Sequence, residues 1–123
     1  ALTALNHSKA SGIMIGRGVA GTPWLLSEIS SSIYGTEAPR IPFGTKLGEM
    51  IIGHYEDVLS FYGNKLGVKK FRKHINWYLK PIVKDNCKIR KRAVIEEDPK
   101  LIIKMIKFLF ENTNFEKKPY ETF

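Results

Sequence analysis

The chain holds a single cysteine, Cys87, in 123 residues. No internal disulfide is therefore possible, and a reducing, cytoplasmic compartment is expected. No apolar run approaches the ~20 residues that a membrane helix needs. No basic start followed by an apolar stretch marks a secretory signal. The three histidines and the lone cysteine do not stand at metal-ligand spacings, so neither a membrane nor a metal is expected as a partner. Acids are scarce where bases crowd. From Asn64 to Ala93 there are eleven Lys or Arg against one acid, Asp85. That stretch alone exceeds the whole chain's net charge of +8 and leaves the remainder slightly acidic.

What is present suits a globular, monomeric protein. The hydrophobic fraction of 43% excludes a wholly disordered chain. A short helix over Ala1–Ala10 is expected to lead into a buried strand, Gly12–Ile15. Thr22 followed by Pro23 has the form of a helix start, and that helix should run to about Ile33 and stop near Gly35. Residues 37–44 contain Pro39, Pro42 and Gly44 and form a linker. Thr45 should cap the next helix, whose stripe is Leu47, Ile51, His54, Val58 and Phe61, with Gly63 as its stop. Val68, Phe71, Ile75, Tyr78, Leu79 and Ile82 mark a second amphipathic helix that Pro81 ends or kinks. A third is expected from Asp85 to about Val94. Asp98-Pro99 starts a fourth, with Ile102, Met105, Ile106 and Leu109 as its core stripe. A loose tail, 115–123, follows.

One strand between two helices cannot satisfy its own backbone groups and must pair inside a sheet. Helix, strand, helix is the rhythm of an α/β barrel, and a complete barrel needs eight strands. The expected fold is thus the remnant of an α/β barrel followed by an all-α helical bundle, in a chain shortened at its N-terminus. The strand delivers "IGRG", in which Gly16 and Arg17 open a turn. Exposed backbone N–H groups and a planar guanidinium suit a phosphate, though Gly16 also serves simply to make the turn.

At about 100° per residue, Lys69, Arg72, Lys73 and Lys80 fall on one side of the second helix, with Lys70 beside them. Phe71, Ile75 and Tyr78 occupy the opposite arc. Arg90, Lys91 and Arg92 in "KIRKR" extend the cationic set. Such a cluster either contacts the phosphates of a polyanion or is an ordinary solvated face. His54 reads as a core histidine. His74 suits RNA contact or packing equally. Trp24, Trp77 and Tyr78 are candidates for base stacking, and helical spacing draws Tyr78 toward the core.

"GIMIGRGVAGTPWLLSEI", "HYEDVLSFYG" and "GVKKFRKHINWYL" resemble, in order and spacing, the C-terminal part of the bacterial tRNA-dihydrouridine synthases. The resemblance covers most of Gly12 to about Leu79, and more loosely the helix to Asn112. It implies a flavoenzyme with an α/β barrel and a helical domain, which reduces uridine to dihydrouridine in tRNA. Residues 1–36 would be the end of an FMN-binding barrel, 37–44 a linker and 45–114 a helical tRNA-binding domain. Gly16 and Arg17 would match positions that hold the FMN phosphate, and NADPH would reduce the flavin. Lys69, Lys70, Arg72, Lys73, Lys80, Arg90, Lys91 and Arg92 would meet tRNA. The family's catalytic cysteine lies in the earlier barrel, so this stretch alone is expected to be inactive. Cys87, in the helical segment, does not take that role. The rival reading is a stand-alone helical RNA-binding module without chemistry.

Overall fold

The structure, a computed structural model, describes residues 1–84 and 87–112. It divides into two compact units, one covering Ala1–Ile41 and the other beginning at Pro42.

In the first unit, α1 (Leu2–Ser8) ends at Lys9 in the left-handed region, φ 55°. A single 3-10 turn follows (Arg17–Val19), then α2 (Leu25–Tyr34). The expected strand Gly12–Ile15 is not formed, and the described residues contain no strand. A strand exists only as a member of a ladder, and no ladder is formed among the described residues. Ile13 and Ile15 are half-buried, while Met14 is 86% exposed. The start of α2 also differs from expectation. Thr22 does not cap it; its hydroxyl donates to the Gly18 carbonyl at 3.5 Å. Pro23 and Trp24 form a turn, with Leu25 N–H donating to the Thr22 carbonyl, and the helix begins after them. Gly35 stops it in the left-handed region, φ 70°.

The second unit holds α3 (Thr45–Tyr62), α4 (Asn64–Leu79), α5 (Lys88–Ile95) and α6 (Pro99–Asn112). Packing runs α3 on α4, α4 on α5, α5 on α6 and α6 back on α3, a closed ring around one core. Leu47, Ile51, Tyr55, Phe71, Ile75, Leu79, Ile102 and Ile106 fill that core. Thr45 is the first helical residue of α3, not its cap; Gly44 takes the cap position with φ 59°. The stripe of α3 runs Leu47, Gly48, Ile51, Tyr55. Phe61, expected inside, is 80% exposed and rests its ring on Tyr62. At about 100° per residue Phe61 falls to one side of the buried Leu47, Ile51 and Tyr55 stripe, which accounts for its exposure. Helix α4 starts at Asn64 and ends at Leu79, and Ile82 and Val83 turn back to the Leu79 carbonyl before Pro81 can be accommodated in a longer helix. Asp98 caps α6 as expected, its carboxylate accepting from Lys100 N–H at 3.0 Å. Asp85 and the tail 115–123 lie outside the described residues.

Two glycines set how closely the helices approach. A Cβ placed on Gly48 of α3 would sit 2.9 Å from both Cβ and Cγ of Phe110 on α6. A Cβ on Gly67 of α4 would sit 3.0 Å from the Leu59 side chain and 3.1 Å from its Cα. Gly53, also in α3, faces open space. Gly48→Ala should therefore destabilise the second unit by about 1–3 kcal/mol through overpacking. Gly53→Ala should stabilise it by up to about 1 kcal/mol through helix propensity. Urea unfolding followed by circular dichroism measures both, and changes of the same sign would contradict this account of the α3–α6 contact.

Candidate nucleic-acid interface

Helix α4 is divided lengthwise. Val68, Phe71, Ile75, Tyr78 and Leu79 are buried against the bundle. Lys69, Lys70, Lys73, Trp77 and Lys80 are exposed on the other side. Four lysines and an indole thus share one outer face of a single rigid helix. Lys70 lies toward the α3–α4 turn, its Nζ 5.1 Å from the centre of the Tyr62 ring, a cation–π distance.

Arg72 and Arg90 are placed differently from those lysines. Arg72 is half-buried, and its Nε is enclosed without a hydrogen-bond partner. It lines a cavity of about 430 Å³ together with Asn64, Lys65, Val68, Lys69 and Glu97. Buried Tyr55 feels both Arg72 and Asp98: burial first, and Asp98 second, push its phenol up to about 12, against the opposing pull of Arg72. Arg90 turns inward from α5, its Nη1 donating to Asn76 Oδ1 on α4 at 3.4 Å. Lys91 and Arg92 remain exposed on α5. The eight cations named from the sequence thus split: six point to solvent, while Arg72 and Arg90 sit partly inside the packing.

In the first unit, Gly16 and Arg17 form an exposed turn. Val19 N–H donates to the Gly16 carbonyl at 3.4 Å and Ala20 N–H to the Arg17 carbonyl at 3.0 Å. A Cβ placed on Gly16 would meet nothing within 4 Å, and Arg17 is exposed. The space over this turn is open, and the residues present fit a phosphate group.

The description "Dihydrouridine synthase (Dus)" belongs to the family model that matches residues 1–111. The chain belongs to the dihydrouridine synthase family. A probable tRNA-dihydrouridine synthase of Rhodobacter capsulatus is 36% identical over 107 residues, covering 87% of this chain and 32% of that protein. The tRNA-dihydrouridine synthase B of Serratia marcescens is 31% identical over 119 residues, covering 96% and 35%. A probable tRNA-dihydrouridine synthase of Rickettsia typhi is 46% identical over 76 residues, covering 61% and 23%. The chain spans about a third or less of the length of these curated relatives. Among the described residues, no helix is long and apolar enough to cross a membrane, and no group of three His, Cys, Asp or Glu is gathered for a metal ion.

In this member of the dihydrouridine synthase family, His54 and His74 belong to a cluster that residue-by-residue reading missed. His54 Nδ1 lies 3.0 Å from the Tyr78 hydroxyl. The His54 and His74 rings are 4.9 Å apart, and each also meets Phe71, at 4.9 and 5.3 Å. The available signal was the glycine turn: antiparallel helices joined at Gly63 bring together residues at similar distances on either side of it. Cys87, half-buried, precedes α5, and its backbone carbonyl accepts from Lys91 N–H at 3.2 Å.

Burial lowers the pKa of both imidazoles. For His54 that effect dominates over the raising influence of Asp57; for His74 it is reinforced by His54. The folded chain therefore refuses protons that the unfolded chain accepts near pH 6.5. Their contribution to stability is complete above that pH and is lost as pH falls through it toward the folded values. The thermal midpoint of the second unit should thus fall between pH 7.5 and 5.5, and His74→Gln should flatten the dependence. A midpoint independent of pH over that range would contradict the lowered pKa of the half-buried pair.

Proposed function

We propose that this chain is the C-terminal portion of a flavin-dependent tRNA-dihydrouridine synthase, and that the outer face of α4 is where it meets tRNA. The observation that carries the reading is the division of α4: a buried apolar side, and an exposed side bearing Lys69, Lys70, Lys73 and Lys80. The family match supports it, and so do relatives named for action on tRNA; neither favours a non-catalytic module. Lysines on a rigid helix hold a backbone by its phosphates and fix its position without reading sequence. Lys91 and Arg92 of α5 extend the contact. Arg72 contributes from the cavity wall, and Arg90 mainly by tying α5 to α4.

Residues 1–36 are proposed as the end of the barrel, in which Gly12–Ile15 would find the sheet neighbours it lacks in this structure. There Gly16 and Arg17 hold the phosphate of FMN by backbone and guanidinium donors. When bound, that flavin, recharged by NADPH, supplies the hydride that reduces uridine. The target base must leave its stack to be reached, so a tRNA held firmly by the helical unit is a requirement of the chemistry. The catalytic cysteine belongs to the remainder of the synthase, and residues 1–123 alone are proposed to be inactive.

Two measurements test this. Losing the Arg17 contact by Arg17→Ala in a whole synthase should weaken FMN retention by about 1.5–3 kcal/mol; unchanged flavin fluorescence titration would remove Arg17 from the site. Binding of tRNA to the present chain should weaken as salt rises. Lys69→Ala with Lys73→Ala should lower affinity and flatten the salt slope by up to about one unit per lost phosphate contact. Lys104→Ala with Lys107→Ala on α6, equally exposed, is the control for net charge. Equal losses from the two pairs would sink the α4 assignment.

A further inference from the structure

Of the aromatic residues placed by sequence as possible base-stacking groups, two are committed elsewhere. Trp24 is 8% exposed and Tyr78 3%, and the Tyr78 hydroxyl is engaged by His54. Trp77 is 41% exposed. It stands one turn beyond Lys73 and one turn before Lys80, which are roughly 10 Å apart along the helix axis, and Lys70 lies two turns before it on the same face.

A single exposed aromatic residue is common on protein surfaces. Two features set this one apart. The first is its support: His74 meets the indole at 5.2 Å and 84°, and His74 itself stacks at 5.3 Å and 30° on Phe71, which is fully buried. The ring is buttressed from the core outward, so holding it in place costs little further side-chain entropy on binding. The second is its setting. The cations around it attract a polyanion, and the indole offers a flat apolar face within their reach. An acidic protein surface has no flat ring tied to each of its charges, and a duplex keeps its bases stacked inside. An unpaired stretch of nucleic acid supplies phosphates and free base faces together.

We infer that Trp77 is a stacking platform for one unpaired base of the RNA whose phosphates the α4 lysines hold. This rests on the reading of α4 as an RNA face, and it adds that the face selects single-stranded or loop segments over helical ones. The two contributions are separable. Phosphate contacts release counterions and so appear in the salt slope; stacking is uncharged and appears as an offset common to all salt concentrations.

The test uses the full chain with single-stranded oligouridylate and with an RNA duplex of equal phosphate number, titrated across a salt series. Trp77→Ala should weaken single-strand binding by about 5- to 150-fold, the range of aromatic stacking on a base, with the slope unchanged and duplex binding unaltered. Trp77→Phe, which keeps a ring, should retain most of the affinity. Lys73→Ala should flatten the slope for both RNAs. In the unsubstituted chain, indole emission should be quenched by oligouridylate, and the quenching should vanish in Trp77→Phe, where Trp24 still emits; this readout does not depend on how well Trp77→Ala folds. Full single-strand affinity in Trp77→Ala, equal losses on both RNAs, or no quenching would each overturn the stacking role while leaving the RNA face in place. A salt-independent wild type, or an unchanged slope in Lys73→Ala, would overturn the face itself and the platform with it.

Discussion

A single residue joins the two longest helices, and the second unit depends on it. Gly63 lies between Tyr62 and Asn64 with φ 82° and ψ 166°, a backbone state open to glycine and strained for other residues. Its N–H closes α3 on the Leu59 carbonyl, and its carbonyl opens α4 by accepting from Gly67 N–H, both at 2.8 Å. With no loop to take up slack, register is set by distance from this point. Leu59 and Gly67 stand equally far from it and touch. Tyr55 and Phe71 are likewise equidistant, with ring centres 4.8 Å apart.

That register decides what each side of α4 does. Turning Phe71, Ile75 and Tyr78 toward α3 leaves Lys69, Lys73, Trp77 and Lys80 no direction but outward. The aromatic contacts across the hairpin are each worth about 0.5–1.5 kcal/mol beyond their buried area, and they hold α4 against rotation about its axis. A rotation of one residue would carry lysine ammonium groups into the core, where their desolvation is prohibitive. Packing and charge thus enforce the same orientation, and the helix presents its lysines on one fixed side. The histidine pair lies within the same contact, where burial lowers both pKa values and so disfavours added positive charge.

Much of this was legible in the sequence, because helices announce themselves by periodicity and punctuation. Gly35 and Gly63 stop helices where expected, Asp98-Pro99 starts α6, and the stripe Val68, Phe71, Ile75, Tyr78 is buried as its spacing predicts. The failures have physical causes of other kinds. The strand at Gly12–Ile15 required ladder partners, and none is formed among the described residues. Thr22 and Thr45 resemble caps, but turns at Pro23–Trp24 and at Gly44, with its positive φ, take over the helix starts. Phe61 keeps a three-residue spacing from Val58 yet lies to one side of the buried Leu47, Ile51, Tyr55 stripe. Arg72 and Arg90 follow the charge pattern but are half-buried: Arg72 borders the buried Val68 side of α4, and Arg90 reaches from α5 to Asn76 on α4, a tertiary contact that no single-helix projection contains. In the candidate site, the lysine face was visible in the charge pattern, whereas the His54–His74 contact and the exposure of Trp77 emerged only once the hairpin register was known.

The central claim is that one face of one helix, oriented by the Gly63 turn, receives RNA. Amide hydrogen exchange of this chain with and without tRNA tests it most directly, since contact and ordering slow exchange where they occur. The account predicts added protection along α4 from Lys69 to Lys80 and at the start of α5, with α6 unchanged. Protection confined to α6, or spread evenly over the four helices, would contradict it.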